Sequence, residues 1–467
     1  MNSTVSDVVI IYVDQWRWDA LGCLGSAAHT PVLDELIAGG VLFDHAFVQS
    51  PVCMPSRASM LTSRYPSSLG ITQMGIPVPE TTETIATVLS RRGWRTTNIG
   101  KLHFQPHANR DHTRPHPRYG FDVLALSDEP GVYEDDYRAW VRRVCPEALP
   151  ELSTGLPPAA AVWQDTMSIA SDVAHATVGP REDYDQTRVF EQSPDLTHSA
   201  WVATRTIDHL RGLGEHERSF TIASFFSPHA PYHVPQKFLD LYDRDELPLP
   251  ALTPLEQENQ EAIGLSDDQL REIKHGYFAA ISEVDFHVGR ILTTLNELGR
   301  TDRTLIMFVS DHGEWLGDHL RLSKGYPGDD AVSRVPLIAA LPGGISGHHE
   351  SQIVEAVDVA PTILEALGVP VPTDMQGRSL LSVLQGEPFD GTDIAVTEHE
   401  GWRSIRTPHH RYVISADGTE QLWEVSHDPS SETEVTVDRD EILASHRKLF
   451  ITHLLNSERT LPRQWAY

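Results

Sequence analysis

Cys53 stands just before a predicted helix whose first turn carries Pro55 and Ser56, with Arg57 four residues on. A helix N-terminus favours developing negative charge, and a fixed cation beside a thiol lowers its pKa, so a nucleophilic cysteine fits this position. The ordinary alternative is a buried apolar cysteine, free cysteine being among the most buried residue types. Two acidic pairs follow apolar runs: Asp14-Gln15 and Asp311-His312. Read alone, an Asp in such a place is a helix cap or turn residue. Lys101 and His103 follow the run TTNIG, and alternation in an extended segment sends both to one face, toward one anion. His229, in Ser227-Pro228-His229, and Lys324 complete the group. Alone, His229 reads as a capped strand end and Lys324 as a solvated loop residue.

These residues need elements to hold them. Val8–Val13 is a short, β-branched apolar run, as a buried parallel strand requires. Thr30-Pro31 starts a helix that a glycine pair stops, and Ser56–Thr62 forms the first turns of another. Thr84–Arg92 is helical, Gly93 ends it, and TTNIG is a strand leading to Lys101. Ser219–Phe226 and Thr304–Ser310 are two further buried strands, each running straight into polar residues. Four apolar strands thus deliver polar side chains at the same end, interleaved with helices. The fold predicted is α/β: a large, mixed, mostly parallel sheet sandwiched by helices, with a site along its carboxyl edge.

Residues 105–215, rich in His, Pro, Arg, Asp and Glu, lack clear periodicity and read as excursions shaping substrate choice rather than building core. His107, His112 and His116 lie in this stretch and line an entrance in that reading; their spacing fits no zinc pattern. A helix over Val354–Leu367, stopped by Gly368 and Pro370, closes a main domain of residues 1–387. After it IAVTEH, WRSIRT, HRYVI and QLWEV predict a small antiparallel sheet, and EILASHRKLFITHLL a terminal helix, in a C-terminal α+β subdomain of residues 388–467. His399, Glu400 and Trp402 from that subdomain either cap the pocket or form an exposed loop.

Composition narrows the partners. Lys plus Arg total 37 against 66 Asp plus Glu, a net charge of −29, which opposes nonspecific nucleic-acid binding and anionic membrane surfaces. Three cysteines, none in a CxxC pair, make no disulfide framework. The start MNSTVSD lacks a basic n-region and no stretch approaches about 18 apolar residues, so a soluble, cytoplasmic protein is expected.

The run Cys53-Met54-Pro55-Ser56-Arg57-Ala58-Ser59, with Arg64-Tyr65-Pro66 downstream, resembles the signature of type I sulfatases, of the alkaline-phosphatase-like superfamily. The resemblance runs from Val8 to about Val425. It implies that Cys53 is oxidised to formylglycine (3-oxoalanine) by a formylglycine-generating maturase, the hydrated aldehyde being the nucleophile. One oxygen of the diol attacks sulfur and the other later expels sulfate, which splits a difficult step in two. The resemblance further implies one divalent metal ion held by Asp14, Cys53, Asp311 and His312; an oxygen-rich set with one imidazole suits Ca²⁺, Mn²⁺ or Mg²⁺. The Asp-Gln and Asp-His pairs are similar to those of the choline sulfatase and phosphonate monoester hydrolase branches, where many sulfatases have D-D and D-N, and this raises Mn²⁺. Gln15 either ligates through its carbonyl or touches the substrate.

Gly100-Lys101-Leu102-His103 resembles the family's G-K-x-H element, in which Lys and His bind sulfate and diol and His serves the elimination step. Arg57 and Lys101 then stabilise transition-state charge. Ser227-Pro228-His229-Ala230-Pro231 resembles its P-H-x-P segment, and Lys324 matches the second leaving-group residue, so His229 and Lys324 bind the leaving group and act as general acid. Where many relatives have a basic residue and an Asn after R-Y-P, this chain has Gln73. The rival on the same scaffold is a phosphonate monoester or phosphodiester hydrolase; that branch has uncharged hydroxyl groups in place of the Lys/His pair. A catalytically idle binding protein would keep Cys53 unconverted and bind no metal. The acidic balance favours a small sulfate ester over a polymer, and relatives with this metal pairing are often homodimers or homotetramers.

Overall fold

The computed structural model describes residues 5–107, 114–156, 187–389, 391, 393–428, 431, 433–436 and 439–457. Its strands, in chain order, are β1 (Asp7–Asp14), β2 (Val41–Phe47), β3 (Arg95–Gly100), β4 (Val123–Leu126), β5 (Thr187–Val189), β6 (Ser219–Pro228), β7 (Tyr232–Val234), β8 (Thr304–Ser310), β9 (Arg334–Val335), β10 (Leu337–Ala340), β11 (His348–Glu355), β12 (Ala395–His399), β13 (Trp402–Arg406), β14 (Arg411–Ser415) and β15 (Glu420–Trp423). The main sheet has the order β11-β2-β10-β8-β1-β6-β3-β4, with β9 beside β2. Pairing is parallel except where β10 meets β2 and β8 and where β9 meets β2. The sheet is therefore mixed and mostly parallel.

Every residue of β1 is buried, because helices cover both faces. Strand periodicity divides its side chains: Val9, Ile11 and Val13 enter one core, with the helices Pro31–Ala38, His198–Arg211 and Asp267–Glu297. Val8, Ile10 and Tyr12 enter the other, with Cys53–Thr62, Ile85–Ser90 and Val359–Ala366. Alternating burial of this kind is what a two-sided parallel strand requires. The 31-residue helix Asp267–Glu297 starts in a capping box formed by Ser266 and Gln269. Strands β12 to β15 form the C-terminal antiparallel meander, followed by the helix Asp440–Ser457.

Two expectations are corrected. The helix expected over Val354–Leu367 begins only at Val359: Val354 and Glu355 end β11, and a 3-10 turn spans Ala356–Asp358. Asp358 accepts the Glu355 N–H at 2.9 Å, which fixes the turn, and Pro361 then falls in the first helical turn, where a missing N–H costs nothing. Residues 105–215 are not all excursion. Strand β4 extends the sheet, and the helix His198–Arg211 buries Trp201, Val202, Ile207 and Leu210 in the core. Interspersed Thr, Arg and Asp obscure its apolar face in the sequence. His112 lies outside the described residues.

Candidate active site

Strands β1 and β8 are parallel neighbours, with Val13 opposite Ser310. Asp14 and Asp311 therefore leave the sheet side by side at the carboxyl edge. On the other flank of β1 the register to β6 shifts between Tyr12 and Asp14, setting Asp14 opposite Pro228. Such irregularities re-aim side chains next to functional sites, and this one carries His229 to the same edge. Strand β3 ends at Gly100, whose φ is +99°; a Cβ there would meet the Ser224 carbonyl oxygen at 1.8 Å, so only glycine admits the approach that delivers Lys101.

Cys53 is the first residue of the helix Cys53–Thr62, all ten residues of which are buried. Its Sγ lies 3.2 Å from His312 Nε2, 3.6 Å from Asp14 Oδ1, 4.0 Å from Lys101 Nζ and 2.9 Å from Lys324 Nζ. Burial and Asp14 push the thiol pKa up, but Lys101, Lys324 and His312 outweigh them and the net shift is downward. The helix start adds to that bias.

The two buried carboxylates are matched by cations. Arg57 Nε donates to Asp311 Oδ2 at 2.6 Å and Nη1 to the Lys101 carbonyl and Ser224 Oγ, while its guanidinium lies over the Tyr12 ring, 4.4 Å from the centroid. Arg57 Nη2 is buried and has no hydrogen-bond partner among the described residues, a donor held ready for an anion. Lys101 Nζ donates to Asp14 Oδ2. Burial raises the Asp14 carboxyl, but Lys101, His229 and His312 hold it well below the usual carboxylate range. His312 Nε2 sits 3.3 Å from Asp14 Oδ1 and 3.5 Å from Asp311 Oδ1. Burial and Lys324 would lower its pKa, yet Asp311, Cys53 and Asp14 raise it to about 10: the space between the carboxylates calls for positive charge.

A metal ion would meet that demand. One ligand atom each from Asp14, Cys53, Asp311 and His312 lies within 4.8 Å of all the others. Gln15 adds an orphan: its backbone is left-handed (φ +69°), and its fully buried Oε1 has no hydrogen-bond partner among the described residues. Two carboxylates, an imidazole and an amide carbonyl suit a hard or borderline divalent cation.

On the open side, Lys324 Nζ lies 3.0 Å from His229 Nε2 and 3.3 Å from His312 Nε2. Burial and Lys324 hold His229 well below the ordinary histidine range. His103 is placed by a turn rather than by strand alternation: the strand stops at Gly100 and His103 has φ +55°. Asp128 Oδ1 accepts the N–H groups of both Leu102 and His103. The His103 ring stacks on His107, with centroids 4.2 Å apart, and neither ring nitrogen has a hydrogen-bond partner among the described residues. Burial, with His107, Lys101 and Arg57 nearby, keeps its imidazole neutral. His107 also stacks on Tyr133, and His116 packs edge-on to Tyr119. His399 stacks on Trp402 at 5.8 Å, and Trp402 meets Tyr326 edge-on.

Four residues that the sequence reading gave no role belong to this arrangement. Tyr12 and Ser224 hold Arg57, and Ser56 Oγ donates to the Asp311 carbonyl. Buried Glu314 accepts from Gln15 Nε2. Its place directly after Asp311-His312-Gly313 was the available signal.

A family model described as Sulfatase matches residues 6–369, and one described as N-sulphoglucosamine sulphohydrolase, C-terminal, matches residues 319–439. The arylsulfatase of Clostridium perfringens is 28% identical, over 97% of this chain and 95% of that one. The choline-sulfatase of Rhizobium meliloti is 27% identical, over 92% and 82%. Among solved structures, the phosphonate monoester hydrolase of Agrobacterium radiobacter superposes with a TM-score of 0.78 at 26% identity, covering 97% of this chain and 96% of its own.

Proposed function

The chain belongs to the sulfatase family and is a sulfuric ester hydrolase, and from that premise we propose that it cleaves a small sulfate monoester with Cys53, matured to formylglycine, as nucleophile. The observation that carries the reading is the meeting of Cys53 Sγ with Asp14 and His312 beneath two lysines. Asp14, Asp311, His312 and the residue-53 side chain would hold one divalent ion, Ca²⁺ or Mn²⁺ with Mg²⁺ as the third choice, and Gln15 Oε1 would be a further ligand. Once bound, such an ion acidifies a coordinated hydroxyl and neutralises sulfate oxygens.

The chain's own residues do the rest. Arg57 Nη2 and Lys101 bind sulfate oxygens, where charge builds in the transition state. The neutral His103 imidazole takes the proton of the residue-53 hydroxyl when sulfate is expelled. As the ester S–O bond breaks, Lys324 protonates the departing alkoxide, with the neutral His229 imidazole beside it to bind the leaving-group oxygen. The enzyme is read as cytoplasmic and dependent on a separate formylglycine-generating maturase, in a homodimer or homotetramer.

The same-scaffold alternative, phosphonate monoester or phosphodiester hydrolysis, draws support from the structural likeness to a phosphonate monoester hydrolase. Lys101, 4.0 Å from Cys53 Sγ, favours the terminal sulfuryl group, whose single negative charge is spread over three non-bridging oxygens. The test is a panel of sulfate esters and aryl phosphonate monoesters assayed on protein coexpressed with a maturase. A strong sulfate preference is expected; equal or better turnover of the phosphonate overturns the reading.

A further inference from the structure

We infer that Glu314 is the positioning residue that fixes which end of the Gln15 amide faces the metal pocket, and that it ties this choice to the turn bearing Lys324. The inference rests on the reading of Gln15 as a metal ligand and adds the residue that enforces it. Gln15 is held at three points: its N–H donates to Asp311 Oδ1 at 3.1 Å, its carbonyl accepts from Tyr277 Oη at 2.9 Å, and its Nε2 donates to Glu314 Oε2. A carboxylate only accepts, so the amide must turn its NH₂ toward Glu314 and its carbonyl oxygen away. That carbonyl oxygen is buried and has no hydrogen-bond partner among the described residues.

The other oxygen, Glu314 Oε1, accepts from the backbone N–H groups of Leu316, at 3.1 Å, and Ser323. Ser323 immediately precedes Lys324. One carboxylate therefore orients a candidate ligand with one oxygen and pins the start of the leaving-group turn with the other. Partners of this kind, one step removed from a metal, typically contribute 10–100-fold in affinity.

The two oxygens respond differently to an amide. In Glu314→Gln the new Oε1 stays on the two backbone N–H groups, so the new Nε2 faces Gln15. Donor would meet donor unless Gln15 inverts, which turns its NH₂ toward the metal pocket. The exchange Gln15→Glu with Glu314→Gln removes the conflict: the residue-314 amide donates to the residue-15 carboxylate, whose second oxygen again faces inward.

The experiment titrates Mn²⁺ by calorimetry into full-length protein stripped with chelator, with circular dichroism as a check on folding. Mn²⁺ affinity should fall about 10–100-fold in Glu314→Gln and return to within a few-fold of wild type in the double exchange. Wild-type affinity in Glu314→Gln, or a double exchange no tighter than the single, overturns the inference. Gln15→Ala separates it from its premise. If that variant binds Mn²⁺ normally, the ligand reading fails; if it binds weakly while Glu314→Gln binds normally, only the role of Glu314 fails. Should Glu314→Gln not fold, the double exchange decides, because the inference requires it to fold and bind Mn²⁺ like wild type.

Discussion

The two halves of the active site are built on different principles. Asp14, Asp311, His312, Cys53, Arg57 and Lys101 sit at the ends of adjacent strands or at the start of a buried helix, and all are at most 1% exposed. Their placement follows from the register of β1, β8, β6 and β3. In the leaving-group half His229, directly after β6, shares that frame, but Lys324 does not. Lys324 stands in a partly exposed turn that Glu314 pins at Ser323 and the C-terminal meander holds from outside: Arg406 pairs bidentately with Asp330 at 2.9 and 3.1 Å, and Arg411 pairs with Asp329. Gly328, at φ +73°, lies so close to the Trp402 ring that a Cβ would meet it at 2.9 Å. Nucleophile and metal pocket thus depend on the parallel sheet, and the general acid on a clamp from the C-terminal meander.

If that division is right, damage should stay on its own side. The largest effect is expected in the sheet-framed half: Cys53→Ala should lose turnover by on the order of 10⁴-fold or more while its circular dichroism and thermal midpoint stay near wild type. Turnover like wild type refutes the nucleophile assignment. Next, Lys324→Ala should slow an alkyl sulfate by about 10²–10⁴-fold and an aryl sulfate, whose phenolate leaves unaided, far less. Arg406→Met should share that leaving-group signature in milder form and cost up to about 3–5 kcal/mol of stability, because buried Asp330 keeps only Arg334, at 3.9 Å. Mn²⁺ affinity should be unchanged in Arg406→Met; a large loss there would dissolve the comparison.

The smallest effect concerns the frame itself. Asp285 accepts the N–H groups of Val32 and Leu33 at 3.1 and 2.9 Å, capping the helix Pro31–Ala38 from the long helix beside it. Burial raises its pKa to about 6. The folded state therefore binds this proton more tightly than the unfolded chain. The associated stability is complete below about pH 4, the unfolded value, and disappears as pH rises through about 6. Denaturation across pH 4–7 should show this decline in wild type and a flatter profile in Asp285→Asn.

The frame was legible in the sequence where chemistry and periodicity agree. Runs such as VVIIYV and TLIMFVS end in the residues that meet at the sheet edge, and the two-residue period splits them between two cores. Segments whose placement depends on distant partners were not. His103 was expected on an extended strand, but Asp128, twenty-five residues away, bends the chain into a turn. The β11 end was mistaken for helix because Val354 and Glu355 suit either state until Asp358 closes the turn. Glu314 carried no visible role because its partner, Gln15, lies 299 positions earlier.

The Asp329–Arg411 and Asp330–Arg406 pairs join residues 82 and 76 positions apart. During synthesis the sulfate-gripping edge is complete in sequence by His312, while the arginines that seat the Lys324 turn are still untranslated. In chain order, the residues that grip the anion come well before those that seat the group releasing the alcohol.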